Sequence, residues 1–199
     1  MATVINLPGA TAQVRREPVI PSPVIATIIV VLTEIMYFSG LVSAYNVIRA
    51  QLFGVWAPPG EIRLPIAATA FNTAILLLSG VLMCFAAHAY SRAESKSRAP
   101  ALFLQSIVLG AFFVCFQGYE WVKLIGYGMT LHSGIFASVF FLLIGSHALH
   151  VLVGVVVMLW CYLWMRQGRL SVGGMRAMQV FWLFVVGIWP ILYRLVYFS

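Results

Sequence analysis

The sequence predicts an all-α integral membrane bundle of five transmembrane helices, and three observations carry that expectation. The chain is 62% apolar and only 9% charged, whereas about a quarter of a soluble domain is charged. Its mean hydropathy is +0.99. Its 199 residues hold five apolar runs, each long enough to cross a hydrocarbon core that requires about 20 helical residues. One bundle uses up the chain, leaving no separate soluble domain.

Residues 1–22 read as a short, extended cytoplasmic lead carrying Arg15, Arg16 and Glu17 among prolines, with no signal-peptide pattern. The first span covers 23–48 and ends at Arg49. The connection Trp56-Ala57-Pro58-Pro59-Gly60 is too rich in proline for a helix. A second span covers 64–90, and the polar segment Ser91 to Arg98 is a surface loop. The third span covers 101–125, followed by a turn through Gly126, Gly128 and Ser133. The fourth, 134–165, is longer than a bilayer requires and should tilt or project into water. After a loop from Arg166 to Arg176, the fifth span covers 177–198, where Pro190 should produce a kink.

The basic residues give an orientation. Arg15, Arg16, Arg92, Lys96, Arg98, Arg166, Arg169 and Arg176 fall on one side, and Arg49, Arg63, Lys123 and Arg194 on the other. Eight against four places the N-terminus in the cytoplasm and the C-terminus in the periplasm. Trp56, Trp121, Tyr127, Tyr193 and Tyr197 then fall near the outer boundary as an interfacial belt. The net charge of +7 resides in these connections, which argues against a nucleic-acid partner. Cys84, Cys115 and Cys161 lie inside apolar runs without a CxxC pair, and read as small buried hydrophobes.

Glu34 is the most informative residue. A charge at bilayer depth costs about 2.5–3.5 kcal/mol on insertion scales, so it should face protein and find a polar partner. The candidates are His147 and His150 in the fourth span, giving a buried polar cluster of Glu34, His147 and His150. Two histidines three apart could ligate a metal or haem, but a metal site needs three or four ligands. The plainer reading is a histidine hydrogen-bonded between helices. Ser138, Ser146, His150 and Gly154 also form a small-residue stripe suited to close helix packing. Glu120 shares a helix face with Gln117 and Lys123, so Glu120 and Lys123 form either an intrahelical ion pair or a subunit contact. His88 and His132 should be wetted interfacial residues. No catalytic motif of soluble enzymes is present.

Several blocks are familiar in their order and spacing. They are Thr33-Glu34 through Gly40, Trp56 to Pro59, Leu64-Pro65 with Phe71 to Gly80, Gln117-Gly118-Tyr119-Glu120, Ser138 to Phe141, and Gly145 through Gly154. Together they make the chain resemble subunit III of the haem–copper respiratory oxidases, in the short five-helix form, from about Leu32 to the C-terminus. The resemblance implies an auxiliary, non-catalytic subunit of a proton-pumping terminal oxidase that reduces oxygen to water. It would hold phospholipids and support proton uptake and the stability of subunit I. Haem and copper would belong to partner subunits I and II, in a bacterial inner membrane, with further respiratory-complex subunits as additional partners. Glu34, His147 and His150 match the family's membrane-embedded carboxyl and its two helix-borne histidines. The chain departs from the family in its last helix, where Trp182-Leu183-Phe184-Val185-Val186 replaces a stretch that usually carries a His and an Asp. An accessory protein of nitric-oxide reduction is the alternative within the family. A stand-alone transporter is another, though the inverted repeats it requires are not visible.

Overall fold

The computed structural model describes residues 21–52 and 66–198. Residues 1–20 of the expected lead and the Trp56 to Gly60 connection lie outside the described residues, as do Arg63 and residues 64 and 65 of the second span. Five helices are long and apolar enough to cross a membrane. They are α1 (Ser22–Gln51), α2 (Ile66–Ser91), α3 (Ala99–Gly126), α4 (Ile135–Arg166) and α5 (Val172–Tyr197). The helices satisfy their backbone groups internally, as hydrocarbon demands. At 1.5 Å per residue, the 32 residues of α4 reach about 48 Å, well beyond a ~30 Å hydrocarbon core.

α1 runs on to Gln51, past Arg49, and α3 starts at Ala99 rather than 101; two further segments differ more from the sequence reading. α5 begins at Val172 rather than 177, because the Ser171 hydroxyl accepts the Gly174 amide at 3.0 Å and caps the helix. Its first five residues include Gly173, Gly174 and Arg176, which resemble a loop by composition. The polar segment after α2 is no plain loop either: Ala93–Arg98 forms a 3₁₀ helix that feeds α3. α5 runs helical through Pro190.

Helices α2, α3, α4 and α5 close a four-membered ring in which each packs on the next and α5 returns to α2. α1 lies outside that ring against α5 and, more lightly, α4. Only Phe38 and Tyr45 of α1 are buried. Cross-helix bonds set the antiparallel register of the ring: Ser79 and Ser106 exchange hydroxyl-to-carbonyl bonds of 2.8 and 2.9 Å between α2 and α3. The indole N–H of Trp182 on α5 donates to Ser79 Oγ at 3.0 Å, and that of Trp189 to Thr73 Oγ1 at 2.8 Å. The Trp182 ring fits between Gly110 of α3 and Gly154 of α4, where a Cβ would lie 2.8 and 2.9 Å from ring carbons. Gly154 therefore serves the contact with α5, while Ser138 turns back to the Leu131 carbonyl at 2.6 Å. The expected small-residue stripe thus divides between separate contacts.

The end of the bundle carrying the α3–α4 connection, Arg49 and Arg194 is called the upper end, and the end carrying the 3₁₀ helix the lower end. His88 and His132 are exposed at the lower and upper ends, as expected. The cysteines depart from expectation: Cys115 is exposed, and Cys84 and Cys161 are half-buried. An apolar run in a membrane protein faces outward as readily as inward, so hydrophobicity alone does not bury a residue there. Tyr127 is exposed at the upper end, but Tyr197 turns inward and is buried beside Phe140.

Candidate functional site

Glu34 lies near the middle of α1 and His150 near the middle of α4. Glu34 Oε2 lies 2.9 Å from His150 Nε2, a contact within ion-pair distance when the imidazole is protonated. The other ring nitrogen, His150 Nδ1, lies 2.6 Å from the Ser146 carbonyl oxygen one turn earlier. A carbonyl only accepts, so Nδ1 carries a hydrogen and donates it. That fixes the chemistry at Nε2. Either a neutral imidazole accepts a proton from a carboxylic acid, or an imidazolium donates to a carboxylate. In both cases Glu34 and His150 hold one proton between them.

Neighbouring side chains orient the pair. Tyr37 Oη and Ser146 Oγ are hydrogen-bonded at 2.9 Å, a second α1–α4 contact one helical step away. Phe38 is fully buried and sets its ring edge-on to His150 at 5.2 Å between centroids. Glu34 keeps 25% of its side chain exposed and His150 20%, so the pair lies on the flank of the bundle. Apolar grooves of about 600 and 440 Å³ run beside α1 toward the upper and lower ends. The first is lined by Val42, Asn46 and Ile191, and the second by Val30, Val157 and Phe181.

His147 does not join this pair. It is fully buried inside the ring, stacked on Trp189 at 4.8 Å, with Phe113 edge-on at 6.1 Å. Neither ring nitrogen has a hydrogen-bond partner among the described residues. Three residues advance a helix by about 300°, so His147 points roughly 60° away from His150. That difference turns one histidine toward α1 and the other toward α5. The expected cluster is therefore one bonded pair with a separate buried imidazole.

The Glu120–Lys123 ion pair is not formed. Glu120 is 4% exposed, and its Oε2 accepts the Thr69 hydroxyl at 3.1 Å. The Lys123 ammonium instead lies over the Tyr119 ring, 4.5 Å from its centroid. Glu120 faces inward between α2 and α3, and a lysine reaching it would have to bury its ammonium. Among the described residues no three His, Cys, Asp or Glu side chains come together in a way that could hold a metal ion.

The family model for cytochrome c oxidase subunit III matches residues 16–199. The chain belongs to the cytochrome c oxidase subunit III family. It is 31% identical to a probable cytochrome c oxidase subunit 3 of Nocardia farcinica, over 100% of this chain and 99% of that relative. A probable subunit 3 of Rickettsia bellii is 32% identical over 95% of this chain and 73% of its own. The subunit 3 of Felis catus is 30% identical over 85% and 67%. Membership makes the chain a multi-pass membrane protein and an auxiliary subunit of a haem–copper oxidase, associated with other oxidase subunits.

Several site residues escaped the sequence reading. Tyr37 supports the pair, and Thr69, Asn72, Thr73 and Ser79 form a buried polar row on α2. Their recurrence at three, four and seven residues was a visible helical signal. In the last helix, Val186 is buried beside Gly80, where an added Cβ would lie 3.1 Å from Val186 Cγ1, while Leu183 is exposed. Val186 is thus part of a closed apolar contact.

Proposed function

We propose that the chain is a non-catalytic subunit III of a proton-pumping terminal oxidase that reduces oxygen to water. In this reading it packs beside subunit I, with subunit II and further respiratory-complex subunits as partners, in a bacterial inner membrane. Its N-terminus is cytoplasmic and its C-terminus periplasmic, so the lower end faces inward. Haem and copper reside in subunits I and II, and the chemistry at this chain is structural and protonic. The observation that carries the reading is the Glu34–His150 contact of 2.9 Å in a chain matched to the family over residues 16–199. A proton-sharing pair open to the bundle flank supports a role in managing protons or lipid headgroups there. The two grooves beside α1 are apolar and elongated, and suit phospholipid acyl chains.

The test is purification in mild detergent of the complex carrying wild-type chain or Glu34→Ala. Wild-type chain should bring down haem- and copper-containing subunits. The Glu34→Ala complex should keep its haem spectrum while losing bound phospholipid or turnover lifetime. Loss of haem from the variant complex would overturn the auxiliary role, and co-purification with a nitric-oxide reductase would move the chain to that system.

A further inference from the structure

A second polar site occupies the upper end of the ring, away from Glu34. Thr69 and Asn72 project from α2, Gln117 and Glu120 from α3, and Tyr197 from α5. All five are buried, with Asn72 at 0%, Gln117 at 2%, Glu120 at 4% and Tyr197 at 6% exposure. The Thr69–Glu120 bond of 3.1 Å and the bond from Asn72 Nδ2 to the Phe113 carbonyl of 3.2 Å hold α2 and α3 together here. The rest of the polar inventory is unsatisfied. Asn72 Oδ1, Gln117 Nε2, Gln117 Oε1, Glu120 Oε1 and Tyr197 Oη have no hydrogen-bond partner among the described residues. Tyr197 Oη sits against Thr69 and Gln117 without closing a hydrogen bond of standard geometry to either.

Five such atoms on three adjoining helices set a physical problem. A buried polar group without a partner costs about 1–3 kcal/mol, and native proteins leave few of them. The unsatisfied set mixes acceptors with at least one obligate donor. Whichever way the Gln117 amide is turned, one of its ends is an N–H₂ group that must donate. A bound cation would satisfy the oxygens and be repelled by that amide nitrogen. A molecule that both donates and accepts meets all five. Glu120 lies six residues before the end of α3 at Gly126, about 9 Å below it at 1.5 Å per residue, and Tyr197 ends α5. That depth is within reach of the aqueous boundary.

We propose that Thr69, Asn72, Gln117, Glu120 and Tyr197 form a binding site for internal water at the upper end of the bundle, with a water bridging Glu120 Oε1 to Gln117 and Tyr197. Buried waters make about three such bonds each, so a small cluster completes the carboxyl's hydrogen bonding and ties α5 to the α2–α3 pair. The site lets a carboxyl remain in the bundle interior without Lys123.

X-ray radiolytic footprinting of the protein in native membranes tests this, because hydroxyl radicals formed from a bound water label the side chain beside it. Tyr197 should label several-fold faster than Tyr45 and Phe113, both fully buried. After brief mixing with H₂¹⁸O, the label on Tyr197 should still carry ¹⁶O, whereas exposed Tyr127 should take ¹⁸O. Gln117→Leu, which removes two of the unsatisfied atoms, should slow Tyr197 labelling and leave Tyr127 unchanged. The proposal is overturned if Tyr197 labels as slowly as Tyr45, if its label takes ¹⁸O at the earliest mixing time, or if Gln117→Leu leaves its rate unaltered.

Discussion

A methyl group at position 110 should strain the bundle through a single ring. In Gly110→Ala the added Cβ would sit 2.8 Å from both Cη2 and Cζ2 of Trp182 and 3.2 Å from Val155 Cγ2. Carbon atoms pack favourably at about 3.5–4.0 Å, so the ring would have to retreat by roughly an ångström. It has little room to do so. On its other side lies Gly154, so close that a Cβ built there would be 2.9 Å from Cζ3, and Nε1 is held by Ser79 Oγ at 3.0 Å. Overpacking of this kind costs about 1–3 kcal/mol, and Gly110→Ala should fall within that range. Trp182→Phe removes the outer ring atoms and the bond to Ser79, so it should be destabilising alone yet relieve the clash. Gly110→Ala made in that background should cost less than about 0.5 kcal/mol, giving a coupling of at least ~1 kcal/mol. Helical circular dichroism in mixed micelles, across a series of SDS mole fractions, measures all four proteins. A Gly110→Ala variant as stable as wild type, or an equal penalty in the Trp182→Phe background, would refute the packing argument.

Two further outcomes test the Glu34–His150 pair. A double-mutant cycle of Glu34→Ala and His150→Ala, read by the same unfolding assay, should give a coupling near 1–2 kcal/mol, toward the top of the range for side-chain bonds in membranes. A coupling indistinguishable from zero would mean that the 2.9 Å contact contributes nothing to holding α1. Carbodiimide reagents, which attack protonated carboxyls, should modify Glu34, and more rapidly in His150→Leu, where the carboxyl must hold a proton unaided. Peptide mass spectrometry follows the label, and equal rates in the two proteins would contradict a shared proton.

The five spans were legible because each is a long apolar run bounded by charge or proline, and lipid allows such a run one regular form. The α4 partner of Glu34 was legible for a related reason: a carboxyl among aliphatic residues needs a polar neighbour, and few were available. Which histidine it takes was not legible. Both lie on one α4 turn, and the choice depends on α1 docking against α4 at Tyr37 and Ser146, a tertiary contact. The Glu120 misreading has the same origin. Spacing on α3 offered Lys123 as a neighbour, but the inward face was decided by Thr69, fifty-one positions away in the chain. The cysteines misled because burial in a membrane does not follow hydrophobicity. In this bundle Ser79, Ser106, Thr73, Gln117 and His147 lie inside, and Ile29, Leu32, Leu149 and Leu152 face outward.

The uneven attachment of α1 gives the shared proton structural weight. The ring helices are held by interdigitated tryptophans and by hydroxyl bonds of Ser79, Ser106 and Thr73, contacts that do not depend on ionisation. α1 buries only Phe38 and Tyr45, and the Glu34–His150 and Tyr37–Ser146 contacts bond its side chains to α4. Because Nδ1 is committed to the Ser146 carbonyl, removing the shared proton would leave the Nε2 lone pair facing a carboxylate. Attraction would then become repulsion at 2.9 Å. Adding a second proton would not, since an imidazolium still donates to the carbonyl oxygen of a carboxylic acid. The contact also lies between the two apolar grooves that border α1.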